Sequence, residues 1–433
     1  MSNIDLCEIE QQYELINLFL QLCRIPSPPL GEAAVAEKIM QIFKSAGIEA
    51  EYDSYGNIIA RLPGTEGLAE KQPLLLSAHM DVVGGSEPVN PRLSEDGKYI
   101  ETDKTRTLGA DDKAGVAAIL DLALKLASPD NRIPHVPLEI IFTRDEERGM
   151  TGIQNLDASK LKAKYAIIAD ADKLGELDCE GAGFTNIYIR IHGGKGGHSG
   201  INIHETDRVS AIKVLSELDS LIPQGVYHYD DPKGVITSIN AGVTIGGTAD
   251  TWIAEAIKDA YEAGRQGKPL PDEYQRKNIM DMVTTYSALN VITSEAAIAY
   301  SIRSSQPDNE TGLLTLIKNA VDTLNAKYND LIRIELDVKQ HLLPFVKSED
   351  TYLSDVIVKA AEQCGINCTP SSFHAGAETH VLANEKKNYY GELFNPVIIG
   401  VADLENIHST DEKIDWQSFL KGRKWLEEIV TSL

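Results

Sequence analysis

Five short clusters of acids and imidazoles carry most of the chemistry this sequence could do. They are His79-Met80-Asp81, Gly109-Ala110-Asp111-Asp112-Lys113-Ala114-Gly115, Asp145-Glu146-Glu147, Asp170-Ala171-Asp172 and Glu405-Asn406-Ile407-His408. Alone, each has a plain structural explanation. His79 reads as a satisfied core histidine, Asp111 and Asp112 as a helix cap, and the other acids and His408 as solvated loops. Together they supply two imidazoles and a surplus of carboxylates without a thiolate. Two metal ions about 3.5–4 Å apart need such a set, with one carboxylate bridging. Ligand softness then favours Zn²⁺, with Mn²⁺ or Co²⁺ as alternatives. An Asp two residues from His79 can take the second ring N–H, which fixes the tautomer.

These clusters need elements that bring them to one place. Helical periodicity runs over residues 9–22 and 33–46, with Gly47 as a C-cap, and over residues 115–127. Apolar strand-like runs cover residues 57–60, 74–78, 138–142, 165–169 and 396–400, and a hairpin over residues 92–101 turns at Asp96-Gly97. Helices predicted at residues 354–364, with Ser354 as N-cap, and 416–430 complete the set. Helices alternating with apolar strands predict an α/β fold with a mixed, mostly parallel sheet flanked by helices. The clusters then fall at or just past strand C-termini, where such sheets bind ligands.

The texture changes near Gly181-Ala182-Gly183. Alternating runs at residues 187–191, 234–245 and 296–302, with a helix at 208–218, predict a smaller inserted α+β module. The expected organisation is residues 1–183 and 306–433 as one domain and 184–305 as the insert. Residues 248–289 are polar and partly helical, with no assigned role.

With 41 Lys+Arg against 65 Asp+Glu, the net charge of −24 argues against nucleic acid, whose binding rests on basic residues. No run of about 18 apolar residues predicts a membrane span. The opening residues lack the basic stretch of a signal peptide, and the five cysteines are odd in number and scattered. Both features predict a cytoplasmic chain with reduced thiols.

The motifs His79-Met80-Asp81, Gly109 to Gly115, Asp145-Glu146-Glu147, Asp170-Ala171-Asp172 before Leu174-Gly175-Glu176-Leu177, and Glu405 to Ser409 occur in an order that resembles the co-catalytic zinc peptidases related to peptidase T. That family also contains carboxypeptidase G, aminoacylase and the Xaa-His dipeptidases. The resemblance covers nearly the whole chain and implies a zinc-exopeptidase fold holding two Zn²⁺. His79 and Asp170 would hold one ion, Glu147 and His408 the other, and Asp111 both, with a cis peptide to Asp112. Glu146 would be the general base, although the roles of Glu146 and Glu147 could be reversed, and Asp81 would orient His79. Gly196-Gly197-His198-Ser199-Gly200 and Phe373-His374-Ala375-Gly376 look more like the Xaa-His dipeptidases.

By the same resemblance His198 would reach an active site and Arg303 would bind a substrate carboxylate. Glu378 would sit in a substrate-facing loop, and the insert would mediate a homodimer. The remaining histidines are expected to be structural or solvated. The implied function is a metal-dependent exopeptidase acting as an aminopeptidase on di- and tripeptides. The alternatives are a carboxypeptidase or N-acyl-amino-acid amidohydrolase, and a scaffold that has lost its metals.

Overall fold

The computed structural model describes residues 5–130, 133–230, 235–247 and 289–433. The chain divides into two compact units, Met1–Gly181 with Phe345–Leu433, and Ala182–Pro344. Nearly all of the polar stretch 248–289 lies outside the described residues.

The first unit is built on an eight-stranded sheet. Its spatial order is Glu49–Tyr52, Ile58–Leu62, Leu138–Thr143, Leu74–His79, Tyr165–Ile168, Asn395–Ile399, Glu176–Gly181 and Thr369–Phe373. Leu74–His79 lies parallel to both of its neighbours, and Asn395–Ile399 parallel to Tyr165–Ile168. The apolar runs are continuous because both faces are covered. Leu74, Leu76 and Ala78 enter the main core, where Phe43 stacks on Phe142 and Phe19 meets Phe419 edge-on. Leu75 and Ser77 point to the opposite face and are equally buried. Helices Glu14–Cys23, Ala33–Ser45, Ala110–Ala127, Tyr352–Gln363 and Trp416–Thr431 supply the main core. Trp425 is fully buried there, and its indole N–H donates to Ile357 O (3.2 Å).

Several local expectations shift. The periodic stretch 9–22 is two helices, Leu6–Gln12 and Glu14–Cys23, because Tyr13 is extended (φ −123°). Thr351 rather than Ser354 stands at the N-cap of Tyr352–Gln363, and the Ser354 hydroxyl donates back to Thr351 O.

The hairpin predicted over residues 92–101 forms, with Arg92 opposite Glu101. It extends into a four-stranded sheet in which Tyr99–Glu101 pairs with Lys413–Asp415 and the latter with Asp403–Glu405. The connection between these last two strands carries His408.

The second unit is a five-stranded antiparallel sheet in the order Gly225–Asp230, Val235–Gly246, Ala296–Ser304, Gly183–His192 and Arg333–Leu342. Burial alternates along Gly183–His192 and Ala296–Ser304, so one face is the core. Helices Ala211–Leu221 and Pro307–Tyr328 cover that face. The expected return to the first domain at residue 306 falls instead at Phe345. Leu313, Ile317 and Val321 of the long helix enter the second core, and Arg333–Leu342 pairs with Gly183–His192.

Candidate metal centre

Parallel pairing sets the ligand-bearing strand ends side by side. His79 closes its strand opposite Thr143, and Ser77 is opposite Ile168. The chain past Thr143 carries Glu146 and Glu147, and the chain past Ile168 carries Asp170. Asp111 lies at the start of Ala110–Ala127, where it and Asp112 depart from helical geometry and are joined by a cis peptide. Gly115 lets this helix approach the Asp170 strand. A Cβ there would lie 2.5 Å from Ala169 O and 2.4 Å from Asp112 Oδ1. His408, in the connection between Asp403–Glu405 and Lys413–Asp415, adopts φ +59°, a conformation uncommon outside glycine.

The side chains meet around Asp111. His79 Nε2 is 3.1 Å from Asp111 Oδ1 and 3.5 Å from Asp170 Oδ1. His408 Nε2 is 2.9 Å from Asp111 Oδ2 and 3.1 Å from Glu147 Oε1. Asp111 therefore turns one oxygen to each imidazole. His79 Nδ1 donates to the main-chain oxygen of Asp81 (2.9 Å), while the Asp81 carboxylate stands 3.5 Å away. That carboxylate instead accepts the backbone N–H groups of Glu146 (3.0 Å) and Glu147 (3.1 Å). Asp81 thus supports both sides of the centre, orienting His79 through its carbonyl.

This arrangement calls for positive charge. With Nδ1–H committed to a carbonyl, neutral His79 directs a lone pair from Nε2 at two carboxylates. Burial disfavours the charged form of His79, but Asp170, Asp111 and Asp81 outweigh it and raise its pKa well above the usual value. Hydrogen bonds to Asp111 and Glu147 lift His408 to about 10. Burial, with Asp111 and Glu147 nearby, pushes Asp170 up to about 7. Burial also raises Glu146, reinforced by Asp170 and Glu147. Asp111 is held low because its bonds to His408 and His79 exceed the burial effect. Glu147 Oε1 is buried, with the ion-pair contact from His408 Nε2 at 3.1 Å and no well-directed hydrogen bond beside it. The ligand-capable atoms of His79, Asp111 and Glu147 lie within 4.8 Å of one another, as do those of His79, Asp112 and Asp170. This donor set fits divalent cations.

Other buried groups hold these loops: Asp112 and Lys113 belong to the Gly109–Gly115 motif, whereas no motif in the sequence marked Glu32 or Glu412. Asp112 accepts from His79 N (3.3 Å) and Gly115 N (2.9 Å). Lys113, fully buried, donates to Ile25 O (2.7 Å), and burial lowers its amine to about 7. Glu32 accepts from Asp145 N (3.0 Å) and Arg144 Nε (2.8 Å). Glu412 accepts from the chain entering Asp111. The only sequence signal for Glu412 was its place four residues beyond His408. Glu378 does not line the cleft. It is 1% exposed and lies behind the centre, accepting from Ser77 Oγ (3.2 Å).

A cleft of about 260 Å³ opens over these residues. Besides the acids and imidazoles described, it is lined by Asp172, Glu176 and Asp178, with Phe373 and Ile407 among its apolar residues and, among the described residues, no Lys or Arg. His198 and Arg303 belong to the second unit. His198 Nδ1 accepts from Gly200 N (3.0 Å) and Ile201 N (3.2 Å), which leaves the proton of a neutral ring on Nε2. Arg303 lies 4.8 Å over the Phe184 ring.

A mostly parallel sheet flanked by helices gathers imidazoles and carboxylates at its strand ends, a donor set suited to divalent cations. Residues 75–432 match peptidase family M20/M25/M40, and the chain belongs to that family. It is 33% identical over 218 residues to the cytosol non-specific dipeptidase of Escherichia coli, covering 44% of this chain and 43% of that protein. It is 31% identical over 188 residues to peptidase T of Serratia proteamaculans, covering 40% of this chain and 44% of that one. The chain thus spans less than half the length of either relative. The crystal structure of aminopeptidase PepT from Bacillus cereus superposes with a TM-score of 0.77 at 23% identity, covering 96% of this chain and 97% of the other, which establishes the likeness of fold. Among the described residues no helix is long and apolar enough to cross a membrane.

Proposed function

We propose that this chain is an aminopeptidase for free di- and tripeptides that works with two Zn²⁺, Mn²⁺ or Co²⁺ being alternatives. His79 and Asp170 would hold one ion, Glu147 and His408 the other, and Asp111 would serve both. When bound, such a pair lowers the pKa of water and polarises the scissile carbonyl. Glu146, left out of the ligand set and raised by burial, takes the proton of the attacking water and returns it to the leaving amine. Asp81 fixes both the His79 ring and the Glu146–Glu147 backbone. His198, with its proton on Nε2, is suited to donate to the tetrahedral oxyanion. Arg303 is assigned to the substrate carboxylate and the inserted unit to dimer formation. The five cysteines, all free, and a relative named for the cytosol support a cytoplasmic site of action.

The observation that carries the amino-terminal preference is the lining of the cleft. Asp172, Glu176 and Asp178 add three acids to the ligands, and among the described residues no Lys or Arg lines the cleft. Such a surface attracts a free α-ammonium and repels a carboxylate. The test is a screen of free di- and tripeptides beside their N-acetylated forms, with cation-loaded enzyme. Cleavage of the free peptides alone is expected. Equal or better cleavage of the acetylated forms would replace this reading with the carboxypeptidase or amidohydrolase one. Elemental analysis finding no bound cation would favour a non-catalytic relative.

A further inference from the structure

One carboxylate outside the ligand set ties together two of the loops that carry it. Glu412 is 1% exposed and leaves the loop of His408. Its Oε2 accepts from Gly109 N (2.9 Å), and its Oε1 accepts from Ala110 N (2.8 Å) and Asp111 N (3.2 Å). Its own backbone is pinned as well, since its N–H donates to Ser409 O and its carbonyl accepts from Thr102 N, both at 3.3 Å. A side chain so restrained transmits the position of its loop to whatever it grips.

What it grips is the chain leading into Asp111. Ala110–Ala127 has no side-chain cap of its own on Gly109, and its first turn is broken at Asp111 and Asp112. Glu412 therefore satisfies N–H groups that the helix leaves open. Bonds from a buried carboxylate to backbone N–H groups are the stronger, charge-assisted kind. The outcome is a fixed spacing between His408 and Asp111, whose atoms meet at 2.9 Å.

We infer that Glu412 is a positioning residue that sets Asp111 against His408, so that the two can share a divalent cation. The inference rests on the reading that these residues hold cations. Groups that orient metal ligands change metal affinity or activity by about 10–100-fold when removed. Glu412→Gln keeps the shape but turns an NH₂ group toward a backbone N–H that needs an acceptor.

The test titrates cation-free wild type and E412Q with Zn²⁺ by calorimetry and with Co²⁺ by visible absorption, and records the melting temperature of both cation-free proteins. The weaker of the two binding events should lose about 10–100-fold in affinity. The Co²⁺ bands should change in intensity, kcat should fall with KM for a free tripeptide unchanged, and a fall in the cation-free melting temperature should come with the loss of cation affinity. Wild-type cation affinities and bands in E412Q would overturn the inference. A cation-free melting temperature lowered without any loss of cation affinity would overturn it too, since Glu412 would then serve only as a helix cap. If E412Q does not fold, Glu412→Asp, which keeps the charge and withdraws the oxygens by one methylene, is read the same way. Failure of both to fold assigns Glu412 to folding alone. Wild type binding no cation would sink the metal-centre reading itself, whereas two cations bound equally by wild type and variant would sink only the role of Glu412.

Discussion

Replacing Asp81 by alanine separates its backbone support of the Glu146–Glu147 segment from its support of His79. The carboxylate is fully buried and accepts two N–H groups, from Glu146 and Glu147, at 3.0 and 3.1 Å. Hydrogen bonds to a charged partner contribute about 1.5–3 kcal/mol each. Loss of either should therefore speed exchange of that amide by roughly 10- to 150-fold, at about 1.4 kcal/mol per factor of ten. His79 keeps its bond to the main-chain oxygen of residue 81, which alanine also provides. Asp81→Ala should therefore loosen residues 145–148 while amides around residue 79 stay protected. Asp81→Asn, retaining one acceptor oxygen, should lie between. Hydrogen exchange by mass spectrometry on the cation-free protein, resolved to peptides over the two segments, makes the comparison. Unchanged exchange at residues 145–148, or acceleration confined to the segment around His79, would refute this account of Asp81.

Glu146→Ala should lower turnover by at least about 10²-fold while bound metal, measured by elemental analysis, stays at the wild-type amount. His408→Ala should leave one tightly held cation per chain where the wild type holds two, read by the same analysis after dialysis. Burial raises the Glu378 carboxyl to about 7, so in the folded state it keeps its proton above the usual carboxyl range. The stability this contributes is fully present below the unfolded value and is lost as pH rises through about 7. The melting temperature of wild type relative to Glu378→Gln should therefore fall between pH 5 and pH 8, and a constant difference across that range would contradict it.

The strand ends that gather His79, Glu147 and Asp170 were legible because continuous apolar runs followed at once by acids are unusual, and sheet order then brings those ends together. The extent of the inserted unit was not. The helix Pro307–Tyr328 and strand Arg333–Leu342 have periodicities that suit either sheet, and periodicity names no partner. Glu412 and Glu32 were equally hidden, and so were the bonds that Asp112 accepts from His79 N and Gly115 N. A carboxylate that accepts backbone N–H groups has no pattern of its own in the sequence and resembles any surface acid until its partners are known. Asp81 was singled out correctly as a neighbour of His79, yet its two bonds to residues 146 and 147 span 65 and 66 positions that no local motif connects. The break at Tyr13 escaped notice because its apolar side chain continues the helical stripe.

The two imidazoles are unequally sheltered. His79 is enclosed at the end of a central strand with 2% of its side chain exposed, whereas His408 stands on a hairpin connection with 47% exposed. In the proposed centre, an ion at Glu147 and His408 would exchange with solution through that open flank, and a chelator should withdraw it first. The ion at His79 and Asp170 would follow more slowly, so that depletion of the pair should show two separable stages.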